Sequence, residues 1–97
     1  MKLIILKLAR NDLKEINKYL SDFGENPPIK FREDFEQFCR QVSEMPYMFN
    51  RYEHNLIYRK AVLIFDYLVF YQIDEDNGRV KIYRVLHGKR NVRPLLG

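Results

Sequence analysis

The 97-residue chain has one cysteine, no tryptophan, two histidines, four glycines and four prolines. A lone Cys39 excludes an intramolecular disulfide and a multi-cysteine zinc site. Cys39 also falls within a helical apolar pattern, where it reads as a small buried hydrophobe rather than a nucleophile. His54 and His87 do not form a helical ligand pair, so nothing supports a metal site. There is no glycine-rich phosphate loop, no serine or cysteine triad can be assembled, and no cofactor is expected. Long apolar runs are missing too. Leu3 to Leu6, with Lys2 and Lys7 at its ends, is too short for a signal-peptide core and far too short to span a bilayer. No amphipathic basic helix favours a membrane surface. The expectation is a single soluble cytoplasmic domain over residues 1–97 with no membrane partner.

The most informative absence is of acid. Between Asn77 and Gly97 there is no Asp or Glu, while Arg79, Lys81, Arg84, Lys89, Arg90 and Arg93 are all present, with His87 among them. The whole chain carries 17 basic and 13 acidic residues, a net charge of +4. Divided after Asn50, the first half holds 8 of each and the second half 9 basic against 5 acidic, so the excess is localised. A cationic end of this kind implies an anionic partner, either an acidic protein or a nucleic acid.

The aromatic supply is large, seven Tyr and seven Phe, and supplies most of the core of a small domain. Leu3 to Leu6 reads as a strand apolar on both faces. Leu13, Ile16, Leu20 and Phe23 recur at helical spacing, and Gly24 suits the left-handed residue that closes a helix. Asn26 can cap a second helix with Pro27 at its first position. Phe31, Phe35, Phe38, Val42 and Met45 form its apolar stripe, and Pro46 ends it. After a loop from Tyr47 to Asn55, two strand-like runs follow, Leu56 to Leu63 and Tyr67 to Asp74, with Ile64 to Asp66 as the turn. Asn77-Gly78 predicts a type I′ hairpin into a last strand from Arg79 to Leu86. The fold class is α+β: β-α-α-β-β-β, with two helices on one face of a mostly antiparallel four-stranded sheet.

Strand alternation would place Val80, Ile82, Arg84 and Leu86 on one face and Lys81, Tyr83, Val85 and His87 on the other. Arg84 thus interrupts an apolar row, as Arg59 interrupts Ile57, Ala61 and Leu63. Two readings stand side by side. Arg84 reaches solvent from the sheet end over its neighbours, or Arg59 and Arg84 form a charged strip whose planar forks grip phosphate or carboxylate. His87 is either a structural hydrogen-bonding residue or a general acid or base near neutral pH.

Several segments together resemble a known family. They are Asp12-Leu13 with Ile16, Tyr58-Arg59-Lys60, Tyr67-Leu68-Val69-Phe70-Tyr71-Gln72-Ile73-Asp74, and Ile82-Tyr83-Arg84-Val85-Leu86-His87-Gly88-Lys89-Arg90. Over nearly its whole length the chain resembles the RelE/ParE superfamily of toxins from bacterial type II toxin–antitoxin pairs. The resemblance implies a toxin neutralised by an acidic antitoxin that wraps around it. A cationic sheet surface complements such an acidic, initially disordered segment.

Activities diverge within the superfamily. RelE-like members cut messenger RNA on the ribosome, whereas ParE-like members are associated with inhibition of DNA gyrase. The chain ends Asn91-Val92-Arg93-Pro94-Leu95-Leu96-Gly97, without the late Tyr of RelE proper, and Leu63 stands about where RelE proper has an Arg. Arg59 in its Tyr-Arg-Lys context and the His-Gly-Lys-Arg run match the ParE-like branch. The resemblance therefore implies a non-catalytic gyrase-binding toxin, with Arg59, Lys60, Arg84, His87, Lys89, Arg90 and Arg93 contacting antitoxin or target. The alternative is a ribosome-dependent mRNA endonuclease in which His87 moves a proton and Arg84 or Arg90 stabilises the charged phosphorane-like state. A further alternative is a basic nucleic-acid-binding or inactive toxin-like domain.

Overall fold

Strand pairing sets the architecture. The computed structural model describes residues Met1–Leu96, in the order β1 (Lys2–Ile5), α1 (Lys7–Ser21), α2 (Asn26–Glu44), β2 (Arg59–Val62), β3 (Tyr67–Asp74) and β4 (Arg79–His87). Short 3-10 turns occupy Ile64–Asp66 and Arg93–Leu96. The sheet order is β1-β4-β3-β2. β1 runs parallel to β4, and the other two pairings are antiparallel. The class is α+β, with the helices on one face. Among the described residues no helix is long and apolar enough to cross a membrane.

Both helices lie on the sheet through apolar stripes. Ala9, Ile16 and Leu20 of α1 and Phe31, Phe35, Phe38 and Val42 of α2 are buried, packed on Tyr67, Val69, Tyr71, Val80, Ile82 and Val85. The expected Phe23 and Met45 fall outside this core: each lies just past its helix and is more than 60% exposed (65% and 62%). Asn26 is the first helical residue rather than the cap, and Glu25 precedes it with no side-chain cap bond. Asp34 of α2 instead reaches the turn between β2 and β3, its Oδ2 accepting the Ile64 N–H at 2.7 Å.

Three local features depart from the alternation pattern. β1 is a half-buried edge strand paired with β4, not one enclosed on both faces. Of the run Leu56–Leu63 only Arg59–Val62 joins the sheet; Leu56 and Ile57 are exposed, and the preceding loop pairs along the outer edge of β2 (Tyr52 N–H to Tyr58 O 2.8 Å, Lys60 N–H to Asn50 O 3.1 Å). The turn after β2 has no glycine, yet Phe65 and Asp66 adopt the left-handed region (φ 62° and 61°). The β3–β4 connection is not a two-residue type I′ turn. Glu75 to Gly78 form a four-residue loop in which Gly78 has φ +63° while Asn77 does not have positive φ.

The largest consequence comes from a bulge. Tyr71 opposes Ile82 and Phe70 opposes Arg84, which leaves Tyr83 as an extra residue in β4. The bulge reverses the phase of the strand. Val80, Ile82 and Val85 therefore share the helix face, while Leu86 joins a second core on the opposite face with Tyr52, Tyr58, Phe70, Val92 and Leu96. The C-terminal segment closes that face, and Leu96 O accepts the Tyr58 hydroxyl at 2.9 Å.

Candidate functional site

β1 ends at Ile5, and its last link to β4 is the Leu6 N–H bonded to Ile82 O at 3.0 Å. Beyond Ile82 the outer edge of β4 has no strand beside it. α1 crosses there and supplies Asp12 in place of a strand. Asp12 Oδ2 accepts the Val85 N–H at 2.9 Å and the Arg84 Nε–H at 2.8 Å, and Asp12 Oδ1 accepts from Arg84 Nη2 at 2.9 Å. Arg84 Nη1 also donates to Leu95 O at 3.2 Å. The pair is largely buried, with side chains 13% (Arg84) and 8% (Asp12) exposed. The hydrogen bonds it donates to the Asp12 carboxylate raise the guanidinium pKa above its ordinary value. Arg84 is thus a bidentate, internally committed cation that links α1, β4 and the C-terminal segment.

Arg59 is committed as well. Its Nη1 donates to Phe49 O at 2.7 Å, and its guanidinium lies 5.1 Å from the Tyr47 ring centroid. Arg59 pairs with Tyr71, on the helix face, whereas Arg84 pairs with Phe70, on the opposite face. The bulge separates them, and no charged strip formed by these two residues crosses the sheet. Lys60 lies over the Tyr52 ring at 5.6 Å. Arg93 Nη2 is 2.7 and 2.8 Å from the two ring nitrogens of His54. Neither Lys60 nor Arg93 borders the cleft described next.

That cleft, of about 350 Å³, opens between α1 and the end of β4 and is bordered by Glu15, Tyr19, Tyr67, His87 and Arg90, with Ile16 among its apolar lining residues. The His87 ring stands edge-on to Tyr67 at 5.1 Å between centroids, and His87 Nδ1 accepts the Lys89 N–H at 3.2 Å. In the neutral ring this leaves Nε2 carrying the proton and free to donate. Burial first, and then the neighbouring Tyr19, raises the Tyr67 phenol pKa above its ordinary value. Gly88 holds the loop in place: its N–H bonds Asp66 O at 2.7 Å, and a Cβ there would stand 3.0 Å from that oxygen. Lys89 and Arg90 project beyond it, exposed and in no salt bridge among the described residues.

Of the seven candidate residues, His87 and Arg90 border one cleft with Lys89 beside them, Arg84 is paired beneath it, and Arg59, Lys60 and Arg93 lie elsewhere. The residues that sequence patterning passed over are Asp12 as a partner, Glu15, Tyr19 and Tyr67. Tyr19 did carry a signal, being an aromatic ring outside the buried stripe of its helix. Among the described residues no three His, Cys, Asp or Glu side chains converge as metal ligands. Among the described residues the ring of His87 has a single hydrogen bond, from the Lys89 backbone N–H, and no second titratable side chain is bonded to it. The arrangement is suited to binding: an apolar, tyrosine-walled cleft with unpaired cations at its mouth.

Residues 3–92 match the sequence profile of a family described as the ParE toxin of the type II toxin–antitoxin system, parDE. No curated protein sequence matches the chain. Among solved structures the chain resembles one in the intact E. coli RelBE toxin–antitoxin complex, with a TM-score of 0.67, 18% identity and coverage of 92% of this chain and 98% of that one. It also resembles the isolated E. coli RelE toxin, with a TM-score of 0.66, 17% identity and coverage of 98% and 93%. A third likeness is to the chromosomal ParDE system of P. aeruginosa, with a TM-score of 0.63, 16% identity and coverage of 90% and 95%. At these identities the structural likeness speaks for the fold alone.

Proposed function

The chain belongs to the ParE toxin family of type II toxin–antitoxin systems, and from that premise we propose that it stops growth by binding DNA gyrase, with no bond-breaking chemistry of its own. An acidic antitoxin neutralises it by covering the cationic end of β4. The observation that carries this reading is the internal commitment of Arg84. A nuclease of this form needs cations free to meet a phosphate, and Arg84 is held bidentate by Asp12. Lys89 and Arg90, which have no salt-bridge partner among the described residues, stand beside and at the border of a largely apolar cleft, which suits a protein partner.

A second reading is supported by a specific feature. His87 presents a free Nε2 in a cleft shared with Arg90, the minimum a ribosome-dependent mRNA endonuclease would use. Inducing the chain without its antitoxin separates the two. Gyrase binding gives a DNA damage response and altered supercoiling with intact early transcripts. Prompt transcript cutting at ribosomes, abolished by His87→Ala, would instead establish the nuclease.

A further inference from the structure

The two helices pack together on the sheet, yet beside the first half of α2 they leave a groove of about 380 Å³ between them. Leu13 of α1 with Phe31 and Phe35 of α2 forms its floor, and Pro28 stands at the end where α2 begins. Phe31 and Phe35 are buried, and Leu13 is half-buried. The two Phe rings are nearly parallel, 10° apart in plane and 6.4 Å between centroids, so the floor is largely aromatic. Lys14, Asn17 and Arg32 form the rim, and all three are exposed.

The polar groups around this groove are of one kind. None of its lining residues is acidic, whereas the cleft beside β4 includes Asp12 and Glu15. Lys14 and Arg32 have no salt-bridge partner among the described residues. Asn17 adds an amide that can donate. The first turn of α2 holds no acidic residue, so no side chain within it offsets the positive end of the helix dipole near Pro28. The volume lies at the small end of the ~300–1,000 Å³ typical of small-molecule sites, which combine an apolar lining with a few polar groups. An aromatic floor beneath two cations is complementary to a flat apolar body with one anionic head. Arg32 offers that head a planar fork, and Lys14 offers it a point charge.

We propose that the groove between α1 and α2 is a binding site for a small aromatic carboxylate. The ring lies on Phe31 and Phe35, and the carboxylate sits between Lys14 and Arg32. Glu15 and Tyr19, which border the cleft beside β4, lie on the other flank of α1, so the two sites are separate. A ligand held by both helices binds only the folded chain and raises its Tm as its concentration rises. The inference stands on the groove and does not depend on the toxin reading.

The test titrates the full labelled chain with 2-naphthoate and follows its chemical shifts. The neutral isostere 2-naphthamide tests the head, and decanoate tests the body by placing the same head on a flexible chain. The expected result is saturable shifts at Leu13, Lys14, Asn17, Phe31, Arg32 and Phe35, with nuclear Overhauser contacts from the naphthyl protons to the Phe35 ring. 2-Naphthamide should bind about tenfold more weakly, as loss of a charge-assisted contact implies. Arg32→Gln and Lys14→Gln should together weaken 2-naphthoate by a similar factor while leaving 2-naphthamide unchanged. Both positions are exposed, and an unchanged Tm of the free variant would show that folding is intact.

Equal binding of acid and amide would overturn the proposal, because the cations would then not read the head. Tighter binding of decanoate would overturn the aromatic assignment. Shifts confined to His87, Lys89 and Arg90 would place the anion at the end of β4 and overturn it as well. So would the absence of any saturable shift up to about 10 mM, beyond the range of weak site binding. Self-association of the free chain through the same residues would assign the groove to a second copy instead.

Discussion

Asp12 and Arg84 are 72 positions apart in sequence and form the shortest salt bridge among the described residues. Removing one partner leaves the other charge buried and uncompensated, a loss of about 3–5 kcal/mol. Asp12→Ala also strips the acceptor from the Val85 N–H. Urea unfolding of Asp12→Ala should therefore show a loss in that range; a loss near that of an exposed ion pair, under about 1 kcal/mol, would mean that Arg84 finds another partner. Asp74 behaves differently because it lies at the surface of a hairpin. The Asn77 amide first, and then the Arg79 guanidinium, hold its carboxyl below the ordinary range. A depressed folded-state pKa gives stability that is full above the ordinary carboxylate value and is lost as pH falls through the depressed one. Asp74→Asn should flatten this acid limb in a series of unfolding curves at decreasing pH, and an unchanged limb would count against the assignment. Neither partnership was legible locally. In the sequence Asp12 stood only within a helix segment that carried the family resemblance, with no partner in view, and only the fold shows that it replaces the missing end of β1.

At the scale of elements, the periodic parts of the sequence were the readable ones. Ile16, Leu20, Phe31, Phe35, Phe38 and Val42 are buried as their spacing implies, because an apolar stripe at helical period can only be satisfied against another element. Alternation in β4 misled, since the phase holds only while the ladder is regular, and the bulge at Tyr83 shifts every later residue to the other face. That shift explains why Arg84 interrupted an apolar row. The glycine-free turn at Ile64–Asp66 was hidden for a related reason: its left-handed residues, Phe65 and Asp66, are held by contacts from outside the turn, with Asp34 taking the Ile64 N–H and Gly88 donating to Asp66 O. Gly88 matters here for space rather than for backbone freedom. Gly88→Ala sets a Cβ 3.0 Å from the Asp66 carbonyl oxygen and should cost about 1–2 kcal/mol as strain on the turn. Thermal unfolding measures it, and a neutral result would show that the β4 loop yields easily. Leu96, in the last 3-10 turn, is 1% exposed in the second core. Leu96→Ala should cost about 2 kcal/mol or more; a loss well below 1 kcal/mol would mean the C-terminal segment adds little to that core.

For the molecule as a whole, the covering of both sheet faces decides what is left for partners. Helices take one face, and the loop before β2 with the C-terminal segment covers the part of the other face around Phe70 and Leu86. Free charge and free apolar surface meet at the end of β4, beside α1. The acid-free C-terminal stretch was visible in the sequence from the start; which of its cations remain free was not, because Arg84 and Arg93 find partners through long-range contacts with Asp12 and His54. The account's central claim is that this surface acts by binding. Its most direct test is purified gyrase supercoiling relaxed DNA in the presence of the purified chain, beside translating ribosomes programmed with a defined mRNA. The account predicts that supercoiling is inhibited in proportion to added chain while the mRNA stays intact. Cleavage of the ribosome-bound mRNA with supercoiling unaffected would contradict it.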